Sequence, residues 1–203
     1  MNKNLVYITE NITFKDIKNG TYKRKEVYFK QMKNWFFKPA QLLLESSKTE
    51  GSYEYKLAIM TILITFFESH GQYLEGIGSN RRSKRVFTSG FEAYLDYLVQ
   101  HEGHVFETYS TLNIQKFYEL VRCGLVHNGY IGNGDVSFLI DILNHDTKHV
   151  IYINPMYCNN WLINVENMLC TIESYLNYYL QQMDNDQNVK ERFEKMFDKF
   201  YSI

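Results

Sequence analysis

The chain has few prolines and cysteines, almost no net charge and no long hydrophobic run. Its 203 residues include only two prolines, which favours long helices over a β architecture with many turns. The three cysteines, Cys123, Cys158 and Cys170, are widely spaced, so we expect neither a disulfide framework nor a thiolate zinc site. The net charge of -1 argues against a large nucleic-acid-coating face, although it allows a small basic groove.

Neither a signal peptide nor a membrane helix is expected. The first residues, MNKNLVYITENITF, lack the basic and apolar regions of a secretory signal. The most apolar run, LAIMTILITFF at 57–67, is too short to cross a bilayer and is expected to form a helix buried in the core. We therefore expect a cytoplasmic protein without a membrane partner.

The length and the 45% apolar composition fit one globular domain with a real core. We predict a single all-α domain, a helical bundle with a small β-hairpin inserted before the long C-terminal helix. Within it, residues 1–50 are expected to form an N-terminal helical extension, 51–182 the core bundle and 187–203 a C-terminal helix.

Hydrophobic spacing and turn residues predict the individual elements. The expected helices cover about 22–37, 53–76, 91–100, 113–128, 161–182 and 189–201. Pro39 is expected to interrupt the first helix, and loops are expected at 47–52 and 78–85. The stretches VSFLIDIL and HVIYIN flank Asn144–Lys148 and predict the hairpin, and GNGD at 132–135 predicts a turn.

Arg122 and His127 lie at the end of an amphipathic helix that Asn113 should cap and that Asn128-Gly129 should terminate. In an α-helix, five residues correspond to a rotation of about 140° and a rise of about 7.5 Å. The two side chains should therefore point to different sides of the helix. A second copy related by a two-fold axis would be needed to gather the pairs into one cleft.

The chemistry of this pair suits metal-free RNA cleavage. The C-terminal end of a helix favours cations, and a histidine can take up or release a proton near neutral pH. His127 could take the proton of a 2′-hydroxyl or protonate a leaving 5′-oxygen, while Arg122 holds the charged phosphoryl group. The same residues also fit a simpler interpretation, in which Arg122 pairs with Glu119 or Glu68 and His127 caps helix carbonyls.

The segment Phe-Tyr-Glu-Leu-Val-Arg-Cys-Gly-Leu-Val-His-Asn-Gly at 117–129 resembles the signature helix of the HEPN superfamily, whose motif is Arg, four to six residues, His. The preceding apolar helix, with Glu68 near its end, and the long helix after the motif also resemble that family. The hairpin is similar to that of small bacterial members related to a plasmid-encoded family of unknown function. The motif sequence resembles that of the family over about 15 residues. The expected arrangement of helices resembles that of the family over residues 50–180.

This resemblance implies a metal-independent endoribonuclease that acts as a homodimer and leaves a 2′,3′-cyclic phosphate and a 5′-hydroxyl. It implies a toxin or phage-defence role, with an antitoxin or another defence protein as a partner and with no cofactor. Arg122 and His127 would be the catalytic pair. Cys123 departs from the Asn, Asp or His that follows the arginine in many active members. The alternative is therefore a catalytically inactive HEPN-like module that binds RNA, a nucleotide or a protein, and the third possibility is a helical scaffold with an accidental motif.

Three further polar residues could support the pair. Glu68 is expected to orient Arg122, His70 to line the cleft and Asn128 to contact His127 from its other side. Glu68 and His70 also fit ordinary polar residues at the end of a buried helix.

The densest basic cluster is formed by Arg81, Arg82, Lys84 and Arg85. It could track RNA phosphates at the rim of the cleft, or it could be a solvated loop. His101 and His104 have a spacing that two metal ligands can share, but no third ligand is suitably spaced, so we expect no metal.

Overall fold

The computed structural model describes residues 7–50, 53–104, 109–132, 137–142, 148–154 and 160–202, and these form a mostly helical protein with short strands. The N-terminal part contains β1 (Tyr7–Thr9), β2 (Ile12–Thr13), α1 (Phe14–Lys18), α2 (Arg24–Met32), a π-helical segment π1 (Lys33–Phe37) and α3 (Lys38–Glu50). The middle contains α4 (Tyr53–Glu75), α5 (Ser83–His101), α6 (Ile114–Phe117) and a second π-helical segment, π2 (Tyr118–Asn128). The C-terminal part contains β3 (Phe138–Ile140), β4 (Ile151–Asn154), β5 (Asn160–Ile163), α7 (Val165–Asn185) and α8 (Gln187–Tyr201).

The apolar helix α4 lies at the centre of the bundle, as its composition predicts. It packs against α3, α5, α7, α8 and π2. The buried core extends from Ile12 to Tyr201, so the first and last elements share one core with the middle of the chain. Among the described helices, none combines the length and the apolar character needed to cross a membrane.

The helices α4 and α5 touch through their backbones at two glycines. A Cβ atom built on Gly71 would lie 1.7 Å from the carbonyl oxygen of Val86, and one built on Gly90 would lie 2.2 Å from that of Phe67. Neither position can hold a side chain unless the two helices separate.

The predicted interruption at Pro39 is wrong, because the helix runs without a break from Arg24 to Glu50. In π1, the N–H of Lys38 donates to the carbonyl of Lys33, five residues earlier. A wide turn of this kind directly precedes Pro39, where the missing N–H and the ring would disrupt a regular α-turn. The loop predicted at 47–52 is helical as far as Glu50, and its last two residues lie outside the described ranges.

The predicted β-hairpin is also wrong, since β3 and β4 do not pair with each other. The strand β5 lies between them, parallel to β3 and antiparallel to β4, with Trp161 opposite both Phe138 and Ile153. Periodicity assigned this segment to the start of the long helix because three consecutive buried residues, 161–163, cannot be told from a buried helix by spacing. The hairpin turn predicted at Asn144–Lys148 falls almost wholly outside the described residues.

Two helix starts differ from expectation. The helix α7 begins at Val165 and is capped by Asn164, whose side-chain oxygen accepts from the N–H of Asn167 at 3.0 Å. The helix α5 begins at Ser83, so the predicted basic loop at 78–85 is partly the first turn of a helix. The turn predicted at 132–135 is described only at its first residue.

Candidate active site

The motif lies on a helix whose two ends match the predicted signals. Asn113 caps α6, because its side-chain oxygen accepts from the N–H of Lys116 at 2.9 Å. The helix continues as π2 and ends at Gly129, which has a φ of 73° and donates its N–H to the carbonyl of Leu125. Glycine adopts this left-handed conformation at little cost, so the predicted end at Asn128-Gly129 is confirmed.

The π-helical form of this segment brings Arg122 and His127 together. In a π-helix the hydrogen bonds join residues five apart, so such residues lie one turn apart on the same side. Nη1 of Arg122 is 3.3 Å from Nε2 of His127. This corrects the expectation that the two side chains point to different sides, which assumed the narrower turn of an α-helix.

The contact also fixes the protonation pattern of the imidazole. A guanidinium can only donate hydrogen bonds, so Nε2 of His127 must be the acceptor and the neutral ring carries its proton on Nδ1. The His127 side chain is exposed. A basic nitrogen therefore lies beside a permanent positive charge at the protein surface, which is where an RNA backbone could approach.

The Arg122 side chain is held in place by contacts with Glu68 and Tyr118. Its Nη2 donates to Oε2 of Glu68, and the two side chains are only 13% and 16% exposed. Burial lowers the pKa of Arg122, but the Glu68 carboxylate outweighs this effect and leaves the pKa above its ordinary value. The predicted contact between Glu68 and Arg122 is thus present, whereas Glu119 pairs with Lys84 instead.

Tyr118 is a residue of the site that the sequence did not indicate. In the structure the Arg122 guanidinium lies 5.6 Å from the centre of the Tyr118 ring, and the tyrosine hydroxyl donates to Ser83 Oγ at 3.1 Å. The signal that could have revealed this contact is the spacing of four residues between Tyr118 and Arg122, which places them on one helix face.

Asn128 is exposed beside the pair, and Val126 and Tyr130 expose 39% and 58% of their surface on either side of His127. No hydrogen bond joins Asn128 to His127 among the residues that the structure describes. The role predicted for Asn128 therefore has no contact to support it in a single chain.

His70 does not line the cleft, which corrects its predicted role. Its side chain is completely buried, with Nδ1 2.7 Å from the hydroxyl of Tyr28 and Nε2 3.0 Å from that of Tyr175. The ring stacks on Phe66 with an interplanar angle of 7°. Both ring nitrogens are satisfied by tyrosines from distant parts of the chain, so His70 is a core residue.

The burial of His70 makes the stability of the fold depend on pH. Desolvation lowers the pKa of His70 from its ordinary value of 6.5 to about 3, so the unfolded chain takes up this proton first as the pH falls. Stability is fully present above pH 6.5 and is lost progressively towards pH 3. Between pH 7 and pH 5 we expect His70 to remove about 2 kcal/mol from the free energy of unfolding, measured by urea titration.

The matched variant for this measurement is His70→Gln, which cannot be protonated in this range. It should be less stable than the wild type at pH 7, and the gap should narrow by about 2 kcal/mol at pH 5. His101→Gln, at an exposed histidine, should keep the wild-type pH dependence. If His70→Gln kept the pH dependence of the wild type, the folded protein would not be what prevents protonation of the His70 imidazole.

The predicted basic cluster divides into paired and unpaired residues. Lys84 lies 3.4 Å from Glu119 Oε1, and Arg85 donates to Glu75 Oε2 at 2.5 Å. Arg81 and Arg82 are exposed, and neither forms an ion pair within the described part of the chain. Because Ser83 contacts Tyr118, the start of α5 borders the motif segment, and these two arginines lie in the turn directly before it.

The metal pair considered at 101–104 does not form. His101 is exposed and stacks on Tyr97, whereas His104 is buried and its Nδ1 contacts the hydroxyl of Tyr109. Across the described ranges, no group of three or more His, Cys, Asp or Glu side chains is arranged to hold a metal ion.

The chain has no match among protein-family models, curated proteins or solved structures. The Arg122–His127 pair combines an exposed imidazole with a guanidinium that Glu68 and Tyr118 hold in place.

Proposed function

We propose that this protein is a metal-independent endoribonuclease of the HEPN type that acts as a homodimer in a toxin or phage-defence role. The observation that carries the proposal is the contact between the Arg122 guanidinium and the His127 imidazole at an exposed helix end. The Glu68 carboxylate and the Tyr118 ring support it, because they orient the guanidinium.

The pair supplies what cleavage by a 2′-hydroxyl requires. When the RNA phosphate binds, the Arg122 guanidinium moves from His127 Nε2 to the phosphoryl oxygens, which frees the lone pair of Nε2. Nε2 then takes the proton of the 2′-hydroxyl, and the 2′-oxygen attacks the neighbouring phosphorus. The Arg122 guanidinium neutralises the charge that develops on the phosphoryl oxygens. The bond to the 5′-oxygen breaks, and that oxygen takes a proton, so the products are a 2′,3′-cyclic phosphate and a 5′-hydroxyl.

The dimer follows from the need for both a base and an acid. In a concerted step, the imidazole that takes the proton of the 2′-hydroxyl cannot also protonate the leaving 5′-oxygen. A second His127, in its doubly protonated imidazolium form and from a copy related by a two-fold axis, would give its proton to the leaving 5′-oxygen, so that one imidazole gains a proton and the other loses one. The exposed side chains of Val126 and Tyr130 beside His127 suit burial against such a copy.

A second candidate, a catalytically inactive module that binds RNA, a nucleotide or a protein, has one observation in its favour. In the structure the lone pair of His127 Nε2 is occupied by an N–H of Arg122 Nη1. This contact must break before His127 can take a proton. If the contact with His127 persists, the site holds RNA without cleaving it.

The experiment is incubation of the full chain with a mixed-sequence RNA in EDTA, followed by analysis of the product ends. The wild type should leave 2′,3′-cyclic phosphates, and a 2′-deoxy version of the same oligonucleotide should stay intact. Arg122→Ala and His127→Ala should each slow cleavage by about a hundredfold or more. His101→Ala, at an exposed histidine outside the pair, is the matched control and should cleave like the wild type.

Two results would contradict the proposal. Cleavage that stops when EDTA is added would require a metal-dependent mechanism. RNA that stays intact with all four proteins while the wild type still binds it would favour the inactive module.

A further inference from the structure

Four exposed cations surround the turn that joins α4 to α5. Two of them lie in the turn, and two lie on α8, which packs against α4. Within the ranges that the structure describes, none of the four forms an ion pair. We call them the basic band: Arg81, Arg82, Arg192 and Lys199.

Contacts at two glycines bring the cations of α8 to the turn. A Cβ atom built on Gly76 would lie 3.3 Å from the Cα atom of Arg192, and one built on Gly78 would lie 3.1 Å from Nζ of Lys199. Arg192 and Lys199 are seven residues apart, so they lie about two turns apart on the same side of α8. The turn and this side of α8 therefore form one positively charged surface, although they are distant in the sequence.

Carboxylates beside the basic band are bonded to other groups. Both oxygens of Glu75 accept hydrogen bonds, Oε1 from Ser89 at 2.6 Å and Oε2 from Arg85 at 2.5 Å. Three further carboxylates also have other partners: Glu119 pairs with Lys84, Asp198 pairs with Arg24, and Glu191 accepts from Gln187. The charge of the band is thus available to an anionic partner.

The basic band adjoins the proposed reaction centre. Ser83 directly follows Arg82, and its Oγ accepts from the hydroxyl of Tyr118 at 3.1 Å. The centre of the Tyr118 ring lies 5.6 Å from the guanidinium of Arg122. One tyrosine side chain therefore connects the start of the band to the guanidinium of the catalytic pair.

We infer that the basic band binds the phosphates of the RNA strand on one side of the bond that the Arg122–His127 pair cleaves. This inference rests on the proposed function, because the pair defines where the strand is cut and the band then defines where its flank lies. Arginine and lysine form charge-assisted hydrogen bonds with phosphate oxygens. Since such contacts do not involve the bases, the band should bind single strands of any sequence.

Arg81 allows a variant that removes a charge without weakening the fold. Its φ is 57°, a left-handed conformation that is unfavourable for a residue with a Cβ atom and costs glycine little. Arg81→Gly should therefore be at least as stable as the wild type. A loss of RNA affinity in this variant cannot be attributed to unfolding.

The test is the affinity of the full chain for a mixed-sequence RNA in which every 2′-hydroxyl is methylated. Because a methylated 2′-oxygen cannot attack phosphorus, binding is measured without cleavage. Arg81→Gly, Arg82→Ala, Arg192→Ala and Lys199→Ala should each raise the Kd by about fivefold. Lys190→Ala is the matched control, because Lys190 is exposed on nearly the opposite side of α8, and its Kd should equal that of the wild type.

The salt dependence of binding identifies contacts with phosphate. Each phosphate contact on a single strand adds about 0.7 to the steepness of the plot of log affinity against log salt concentration. Each variant of the basic band should reduce the steepness by about this amount, whereas Lys190→Ala should not. Polyglutamate should compete with RNA only weakly, because the RNA strand also reaches Arg122.

Failure of this inference can be distinguished from failure of the proposed function. If the wild type cleaves unmodified RNA but all variants of the basic band bind the methylated RNA as the wild type does, the inference is wrong and the proposed function stands. If the band variants weaken binding but unmodified RNA is never cleaved, the inference stands and the proposed function is wrong. Equal competition by polyglutamate and RNA would overturn the assignment to RNA and indicate an acidic protein as the partner.

Discussion

Glu68→Ala is expected to lower the free energy of unfolding by about 3 kcal/mol, because it leaves the Arg122 guanidinium without its carboxylate in a largely water-excluded place. The guanidinium cannot lose its charge to escape this cost, since its pKa is far above neutral. For a chain of this length, the melting temperature should fall by roughly 10 °C. Urea titration followed by circular dichroism measures the loss directly.

Removing both partners should cost less than removing one. In Glu68→Ala/Arg122→Met, no buried charge remains and the methionine fills much of the arginine volume, so part of the lost stability should return. Glu119→Ala is the matched control. Glu119 lies on the same helical segment as Arg122 and forms an exposed ion pair with Lys84 of α5, so this variant should unfold almost like the wild type. If Glu68→Ala is as stable as the wild type, the ion pair that orients Arg122 does not form.

Among substitutions that add a single methyl group to the core, Gly71→Ala is expected to reduce the stability of the protein the most. The new Cβ would lie 1.7 Å from the carbonyl oxygen of Val86, and because this neighbour is backbone, only a shift of α5 away from α4 can relieve the overlap. Overpacking of this kind should cost about 3 kcal/mol, or more if the shift propagates to the aromatic core. A thermal melt should show a loss of about 10 °C.

Two further glycine variants show whether the effect comes from helix contact. Gly90→Ala should be similarly destabilised, since its Cβ would meet the carbonyl oxygen of Phe67 at 2.2 Å. Gly78→Ala should be mild, because the nearest atom is the Nζ at the end of the flexible Lys199 side chain. Equal stability of all three variants would mean that α4 and α5 do not touch through their backbones.

Local signals in the sequence predicted the local structure well. The cap at Asn113, the helix end at Asn128-Gly129 and the buried helix at 57–67 are each confirmed. Each depends on the residues of one segment: a side chain that accepts from a nearby N–H, a glycine with a positive φ, or a run of apolar residues.

Features that depend on distant residues could not be read in the same way. The strand β5 is central in its sheet because it pairs with both β3 and β4. The sequence of its own residues, Asn160–Ile163, does not indicate these pairings. His70 is a core residue because Tyr28 and Tyr175 reach it from other helices, although its sequence context places it at an emerging helix end. Tertiary contacts decided both outcomes.

The candidate site was predicted in part. The sequence indicated Arg122, His127 and Glu68, and in the structure Arg122 contacts both of the others. The sequence did not indicate Tyr118, and it placed the buried His70 in the cleft. The contact between Arg122 and His127 depends on a π-helical turn, and no residue pattern indicated that form of helix. The dimer and the cleavage reaction stay predictions.

In the proposed function, the Arg122–His127 pair performs the chemical step of RNA cleavage. The most direct test is the single-turnover rate of RNA cleavage in EDTA, with enzyme in saturating excess, for the wild type and His127→Ala. We expect the rate of His127→Ala to be lower by about a hundredfold or more. RNA affinity and melting temperature should change little, because His127 is exposed and its role is to transfer protons. Equal rates in the two proteins would contradict it, and so would a wild type that binds the RNA tightly and never cleaves it.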